Sequence, residues 1–538
     1  MDKMIESPAA TDAVFAYHER TKHYLNRYAA GPGGLDWADQ PDPFRRFKGC
    51  EIISLPPPGT ELPVLFAELD QTVQTPAQPL TLSRLGLLLE LAFGLSAWKQ
   101  YGADRWALRC NPSSGNLHPT EAYVINSGAN LLPAGVYHYL SHDHALEKRG
   151  EFNPNSTGSE LCIALTSIHW REAWKYGERA YRYCQHDIGH ALGALRYAAA
   201  TLGWSLELLT ECGDDELGRL LGLDRRADFK EEEAELPDLI CRIRFMQGVQ
   251  LRPDVDGLLK CAENAVWHGQ AECLSQFHRN RWPIIEEVAK AVHKARAKEP
   301  DSQSAHHPLP VSVCPQTATA IIRQRRSAQR FDALTYLPLS DFKRILSSVM
   351  PASRVPFDVW RWPPAVHLLL FVHRVENLVP GLYLLPRSHA AVEPLRAAMS
   401  GAFAWQAAEN MADLPVYRLV AGNCQRMAKT VSCHQDIAGD GAFSLAMLAE
   451  FQQPISREPW CYRRLFWECG LIGQALYLEA EAAGMRGTGI GCFFDDSVHD
   501  ILGLKDNRFQ SLYHFTVGQA LEDARLQTLP AYHHLSQR

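Results

Sequence analysis

Several stretches of this chain hold residues whose types and spacing could do chemistry. The segment RQRRSAQRF supplies Arg325, Arg326, Ser327 and Arg330, three guanidinium groups and a hydroxyl within two helical turns, at what reads as a helix start. Guanidinium forks bind phosphate through charge-assisted, bidentate hydrogen bonds; the same cluster also suits a solvated basic face. The segment CNPSSGNLHPTEAYVI sets Pro112, Ser113, Ser114, Gly115 and Asn116 just before a strand-like run, Ala122-Tyr123-Val124-Ile125. Small residues there would let backbone N–H groups approach a flat polar ligand, with Ser and Asn side chains adding hydrogen bonds. As turn residues they need no function at all. In GTGIGCF, the spacing of Gly489, Ile490 and Gly491 lets backbone pass close to a ligand, a weak signal alone. Arg525, shortly after the last apolar strand, is a second candidate phosphate contact. Cys433-His434 lacks partners at zinc-site spacing, so no metal is expected.

Length and patterning say what must position these residues. A chain of 538 residues exceeds one core and predicts two domains. At 46% hydrophobic and 21% charged it is an ordinary globular sequence. A net charge of −7 gives no bulk attraction to nucleic acid or an anionic membrane. The most apolar run, LGLLLELAFGL, is short and carries Glu90, so it reads as a core helix rather than a membrane span. The start lacks the apolar stretch of a signal peptide, and the 14 cysteines include no CxxC pair, which predicts free thiols in the cytoplasm. A Pro-, Ser- and His-rich stretch, Ala297 to Gln316, reads as a linker between an N-terminal domain, 1–296, and a C-terminal domain, 317–538.

The two sides of that linker resemble each other. At one fixed offset of 281 residues Tyr181 meets Tyr462, Arg182 meets Arg463, Gly189 meets Gly470 and Gly203 meets Gly484. Asp214-Asp215 meets Asp495-Asp496 in the same register. Each copy predicts an apolar helix, a Gly turn, an apolar segment, and an Asp-Asp turn opening a short helix. With the hairpin-like NLLPAGVYHYL and NLVPGLYLLP, this gives an α+β fold of two tandem domains, each a mostly antiparallel sheet flanked by helices, joined as an intramolecular pseudo-dimer. The halves are unequal. The first keeps the Pro-Ser-Ser loop and lacks the Arg cluster; the second does the reverse. Complementary loss predicts one composite site where the halves meet.

Taken together, NPSSGNLHPTEAYVI, AGVYHY, WKYGERAYRYCQHDIGHAL, RRSAQRF and GTGIGCFFDD resemble the nitroreductase-like flavoprotein family, and within it the SagB-type branch of thiazole/oxazole-forming dehydrogenases. The resemblance runs from about residue 80 to the end. It implies FMN held at a dimer interface. Arg325, Arg326, Ser327 and Arg330 would hold the phosphate end, with Arg525, and Gly489, Ile490 and Gly491 would line the ring. Pro112, Ser113, Ser114 and Asn116 would lie along the flavin from the other half. One intact site per chain follows, the symmetry-related site being degenerate. The azoline-oxidising members carry a Lys-Tyr pair near the flavin, which implies Lys175 as base and Tyr176 as base or proton relay; the second half has Ser456 and Arg457 there. No N-terminal winged-helix module of the kind some azoline oxidases use for peptides is visible.

The reading that results is an FMN-dependent dehydrogenase or oxidase taking hydride plus proton from a heterocyclic or peptide-derived substrate, with biosynthetic-cluster proteins as possible partners. The alternatives are an NAD(P)H-dependent nitro or quinone reductase on the same cradle, and a non-catalytic scaffold that has lost its flavin.

Overall fold

The computed structural model describes residues 8–70, 75–129, 131–152, 160–245, 255–298, 310, 312 and 314–535; most of the expected linker lies outside them. Two antiparallel sheets carry the architecture. The N-terminal one orders its strands Val266–Trp267, Ala145–Glu151, Gly135–Leu140, Thr120–Asn126, Leu161–Ile168, Glu235–Arg244 and Ser205–Leu208, with Glu51–Ser54 added beside Ala145–Glu151. The C-terminal one runs Gln406–Ala407, Tyr417–Ala421, Gly381–Leu385, Val366–Val372, Phe443–Glu450, Phe509–Gly518 and Arg486–Ile490. From the Gly135 and Gly381 strands onward the two orders correspond strand for strand.

Their central strands are continuous apolar runs because both faces are covered. In LCIALTSI, Leu161, Ile163 and Leu165 enter the main core. The alternate residues Cys162 and Ala164 enter a second core with Leu217, Leu220 and Leu221 of the helix Asp214–Leu221. In VHLLLFV, Leu368 and Leu370 join the main core, while Leu369 and Phe371 face Val498 and Leu502 of the helix Asp495–Leu502.

Three helices matter for the site: α1 (His169–Tyr176), α2 (Ala180–Thr201) and α3 (Cys461–Ala482). Every residue of α2 is buried, as befits a helix apolar most of the way round. α2 and α3 cross at Gly189 and Gly470: a Cβ built on either would stand 2.8 Å from the other's Cα. Only glycine permits so close an approach. The main core then runs unbroken from Ile188, Leu192 and Leu195 to Leu471, Ile472 and Leu476.

The 281-residue offset reappears as matched contacts across this crossing. Arg182 Nη1 donates to Asp495 Oδ1 at 2.6 Å, and Arg463 Nη1 donates to Asp214 Oδ2 at 2.6 Å. Burial alone would raise the Asp495 carboxyl, but Arg179 and Arg182 hold it below its ordinary range. Breaking a buried pair of this kind costs about 3–5 kcal/mol, since the survivor is left as an uncompensated charge.

The termini are exchanged as well. Near the N-terminal helix Pro8–Arg20, His18 meets Tyr462 and Gln510 of the other half, each at 3.2 Å, and the His23 N–H donates to Asp495 at 2.9 Å. At the other end the strand Gln527–Leu529 pairs with Leu95–Tyr101, which pairs with Asp104–Arg109. Tyr532 OH accepts from the Leu95 N–H at 2.9 Å, and Trp98 Nε1 donates to Ala531 O at 2.8 Å. Each half is locked by a terminal arm of the other.

Gly189→Ala tests the crossing. The added methyl has no room, so the denaturation midpoint falls, with a cost of at least ~1–3 kcal/mol. Gly470→Ala does the same by the matched contact. Midpoints equal to the parent would show that the helices can part at no cost.

Candidate active site

A cavity of about 420 Å³ lies between the halves, within the size range of small-molecule and cofactor sites. Residues 109 and 111–116, from the loop after the strand Asp104–Arg109, form one wall. Arg325, Arg326 and Ser327 form another, with Gly489, Ile490, Gly491 and Cys492 at the end of the strand Arg486–Ile490. Tyr176 of α1 and Tyr183, Asp187 and His190 of α2 contribute, and residues 520–523 close the rim. The cavity thus joins the loop of the first half to the Arg cluster of the second.

The Arg cluster is not at a helix start. Thr317 caps the helix Ala318–Gln324, which ends just before Arg325, whose backbone is extended. The guanidinium groups therefore meet the carbonyl end of the helix, where cations are favoured. Arg326 Nη1 donates to Arg323 O at 2.7 Å and Arg325 O at 2.6 Å, and its Nη2 to Ser96 O at 2.8 Å. Arg325 reaches across the halves: its Nε donates to Cys110 O at 3.1 Å and its Nη2 to Arg109 O at 3.0 Å. The remaining Nη1 of Arg325 is buried and has no partner. The guanidinium lies over the Tyr477 ring, 5.0 Å from its centre. Tyr477 OH, in turn, meets Ser327 Oγ at 2.8 Å and accepts from the Gly489 N–H at 2.9 Å. One network therefore ties the Arg cluster to the Gly-rich strand.

The charges crowd. Burial, and then Arg325 beside it, push the Arg326 guanidinium down to about 10. Burial lowers Arg325 and Lys99 too, although Glu522 supports Lys99. Cations so placed gain from an anion. Arg325 Nη1, Asn111 Oδ1, His118 Nδ1 and His190 Nδ1 are all buried on this cavity without partners. Such orphans are uncommon, and a polar ligand would satisfy them.

The Pro-Ser-Ser loop spends its side chains differently from expectation. Ser114 donates through both its N–H (3.1 Å) and its Oγ (3.2 Å) to Asp187. Ser113 Oγ accepts from the His118 N–H at 2.8 Å, and Asn116 Nδ2 donates to Ala107 O at 2.8 Å. The hydroxyls and amide shape the loop, leaving backbone as the surface it offers the cavity. Gly115 has φ +59, and a Cβ there would strike Tyr176 OH and stand 3.1 Å from Lys175 Nζ. The Lys-Tyr pair therefore packs directly behind the loop, with Tyr176 on the cavity and Lys175 adjoining it.

Burial lowers the Lys175 amine, with Glu172 opposing, and raises the Tyr176 phenol. Tyr176 packs edge-on to Tyr183, ring centres 4.6 Å apart. Asp187 went unremarked in the sequence, where it is one of several polar residues, with Arg182, Gln185, His186 and His190, along one helix. Burial pushes it up to about 7 against the hydrogen bonds from Ser113 and Ser114.

Two expected phosphate contacts lie off the cavity. Arg330 is exposed, and its carbonyl accepts from the Leu521 N–H at 2.9 Å, which fixes the rim by backbone alone. Arg525 is 71% exposed and chelated by Asp523 at 2.6 Å, two residues away. Lys99, Arg109 and Arg486 line the cavity instead.

Comparison with known proteins agrees with this architecture. Residues 322–519 match the profile of the nitroreductase family. A protein of Methanocaldococcus jannaschii that carries a nitroreductase name is 26% identical over 157 residues, 27% of this chain and 76% of its own length. A solved structure from Anabaena variabilis, also named as a nitroreductase, covers 95% of this chain and 99% of itself with a TM-score of 0.66 at 22% identity. The Escherichia coli microcin synthetase McbBCD complex with truncated pro-MccB17 bound covers 46% of this chain and 95% of the matched one at 16% identity. Its TM-score of 0.27 is too low to bear on function.

Asp187→Asn probes the buried carboxyl. Its folded-state pKa is raised, so its contribution to stability is full below pH ~4 and is lost as pH rises through about 7. The variant's unfolding free energy should fall less steeply across that window; an unchanged slope would contradict the assignment. The chain has a nitroreductase-like fold over both halves, and within it residues 322–519 match the model of the nitroreductase family.

Proposed function

We propose that the chain is an FMN-dependent dehydrogenase or oxidase that removes a hydride and a proton from a heterocyclic or peptide-derived substrate, of the azoline-to-azole type. The observation that carries this reading is the meeting of the Pro-Ser-Ser loop and the Arg-Arg-Ser cluster, from opposite halves, on one cavity. The residues fit FMN. The partnerless Nη1 of Arg325, with Arg326 and Lys99, suits a phosphate, while the loop from Pro112 to Asn116 and residues Gly489 to Gly491 suit a flat ring. Arg330 and Arg525 would act on the phosphate only at long range. One such site per chain is assigned, since the first half has no counterpart of the Arg cluster.

When bound, the flavin supplies a two-electron acceptor for a C–H bond. The chain's own residues handle the proton. Lys175, its amine lowered by burial, is the candidate base, and Tyr176, whose phenol burial raises, stands between it and the cavity as the candidate relay. Asp187, its carboxyl pushed up to about 7 by burial, holds the loop through Ser114 and stands on the same cavity. The Tyr176 and Tyr183 rings and the side chains of Leu521 and Leu526 give the cavity its apolar lining. Among the described residues no helix is long and apolar enough to cross a membrane.

Arg325→Gln should weaken FMN retention ~10- to 100-fold, as loss of a charged hydrogen-bond donor predicts. Lys175→Ala should keep FMN and lose ~10²–10⁴-fold in substrate oxidation. FMN binding unchanged in the first variant would remove the phosphate assignment. Bleaching by NADPH that outpaces every dehydrogenation substrate would favour a reductase.

A further inference from the structure

Cys492 and Cys433 form a pair that the flavin reading does not use. Cys492 follows the strand Arg486–Ile490 and lines the cavity. Cys433 follows the helix Gln425–Val431. Their sulfurs stand 2.9 Å apart, so a bond of about 2.05 Å needs less than about 1 Å of closure. Both are partly exposed. Cys433 and His434 have φ +54 and +58, consecutive left-handed positions that non-glycine residues seldom adopt. The two segments are pinned together. Gln435 Nε2 donates to Ser432 O at 2.9 Å and Cys492 O at 3.0 Å, and the Phe494 N–H donates to Val431 O at 2.8 Å.

The surroundings activate one sulfur. His23 Nδ1 accepts from the Ala29 N–H at 2.9 Å, which leaves Nε2 as the N–H. That imidazole hydrogen-bonds Cys492, and Arg179 lies near. The hydrogen bond with Cys433, helped by His23 and Arg179 and opposed by burial, lowers the Cys492 thiol and raises that of Cys433. Elsewhere burial does the opposite, raising Cys110 to about 11 and Cys212 and Cys424 to about 12.

We propose that Cys492 and Cys433 are a redox-active dithiol in the cavity wall that exchanges with low-molecular-weight disulfides. The Cys492 thiolate attacks one sulfur of the disulfide RSSR, whose S–S bond breaks, and RS⁻ leaves and takes a proton. Cys433 then gives up its proton and attacks Cys492 Sγ, and the second RS⁻ departs carrying that proton. The protein dithiol is oxidised by two electrons, and RSSR is reduced to two RSH. This does not depend on the flavin reading.

The test uses the full chain with oxidised glutathione as probe, followed by thiol blocking and peptide mass mapping. The expected product is a Cys433–Cys492 cross-link, reversed by dithiothreitol, with the other 12 of the 14 cysteines still blocked as thiols. Cys433→Ser should instead trap one glutathione on Cys492. Before oxidation, iodoacetamide at pH ~6 should reach Cys492 ~10-fold faster than the exposed Cys273. Both serine variants should unfold at the parent's midpoint. Cys492 alkylating no faster than Cys273, with no cross-link in the parent, would overturn the proposal.

Discussion

The close approach of Gly189 to Gly470 is the constraint on which the rest depends. With 2.8 Å between a would-be Cβ and the facing Cα, α2 and α3 share one surface rather than meeting through side chains. The main core is therefore continuous across the halves. The matched pairs Arg182–Asp495 and Arg463–Asp214 fix the rotation about that contact, since Arg182, Asp495 and Arg463 are buried, Asp214 is half-buried, and each has its partner on the other half. The exchanged arms add a second lock, His18 on Tyr462 at one end and Gln527–Leu529 on Leu95–Tyr101 at the other.

The site inherits its form from that arrangement. Arg325 belongs to the second half, yet its side chain is held by the carbonyls of Arg109 and Cys110 in the first. Asp187 and Tyr183 project from α2, the helix that makes the crossing, toward a loop and a strand from opposite halves. A polar, cation-rich cavity is affordable here because backbone carbonyls and the Tyr477 ring take up most guanidinium donors, leaving Nη1 of Arg325 for a ligand.

Much of this was legible in the sequence, and the reasons differ by residue. The fixed offset between Arg182 and Arg463 and between Gly189 and Gly470 announced equivalent roles, because ungapped register survives only where geometry is repeated. The complementary presence of Ser113-Ser114 and Arg325-Arg326 pointed to one shared cavity, where all four residues stand. What the offset could not show is that Arg182 pairs with Asp495 rather than with a neighbour in its own half; that depends on the crossing in space. Arg330 and Arg525 sit close in sequence to true lining residues, but the chain direction turns Arg330 outward and Asp523 captures Arg525. Asp187 and the Cys433–Cys492 pair were hidden for the same reason: their meaning comes from partners 73 and 59 positions away.

The central claim is a single composite flavin site built from both halves. Its most direct test is the amount of FMN released per chain from the purified, FMN-saturated protein, measured by absorbance against chain concentration. One FMN per chain is the predicted result. Two would mean that the first half binds phosphate without an Arg cluster, and none would mean that the cavity holds something else.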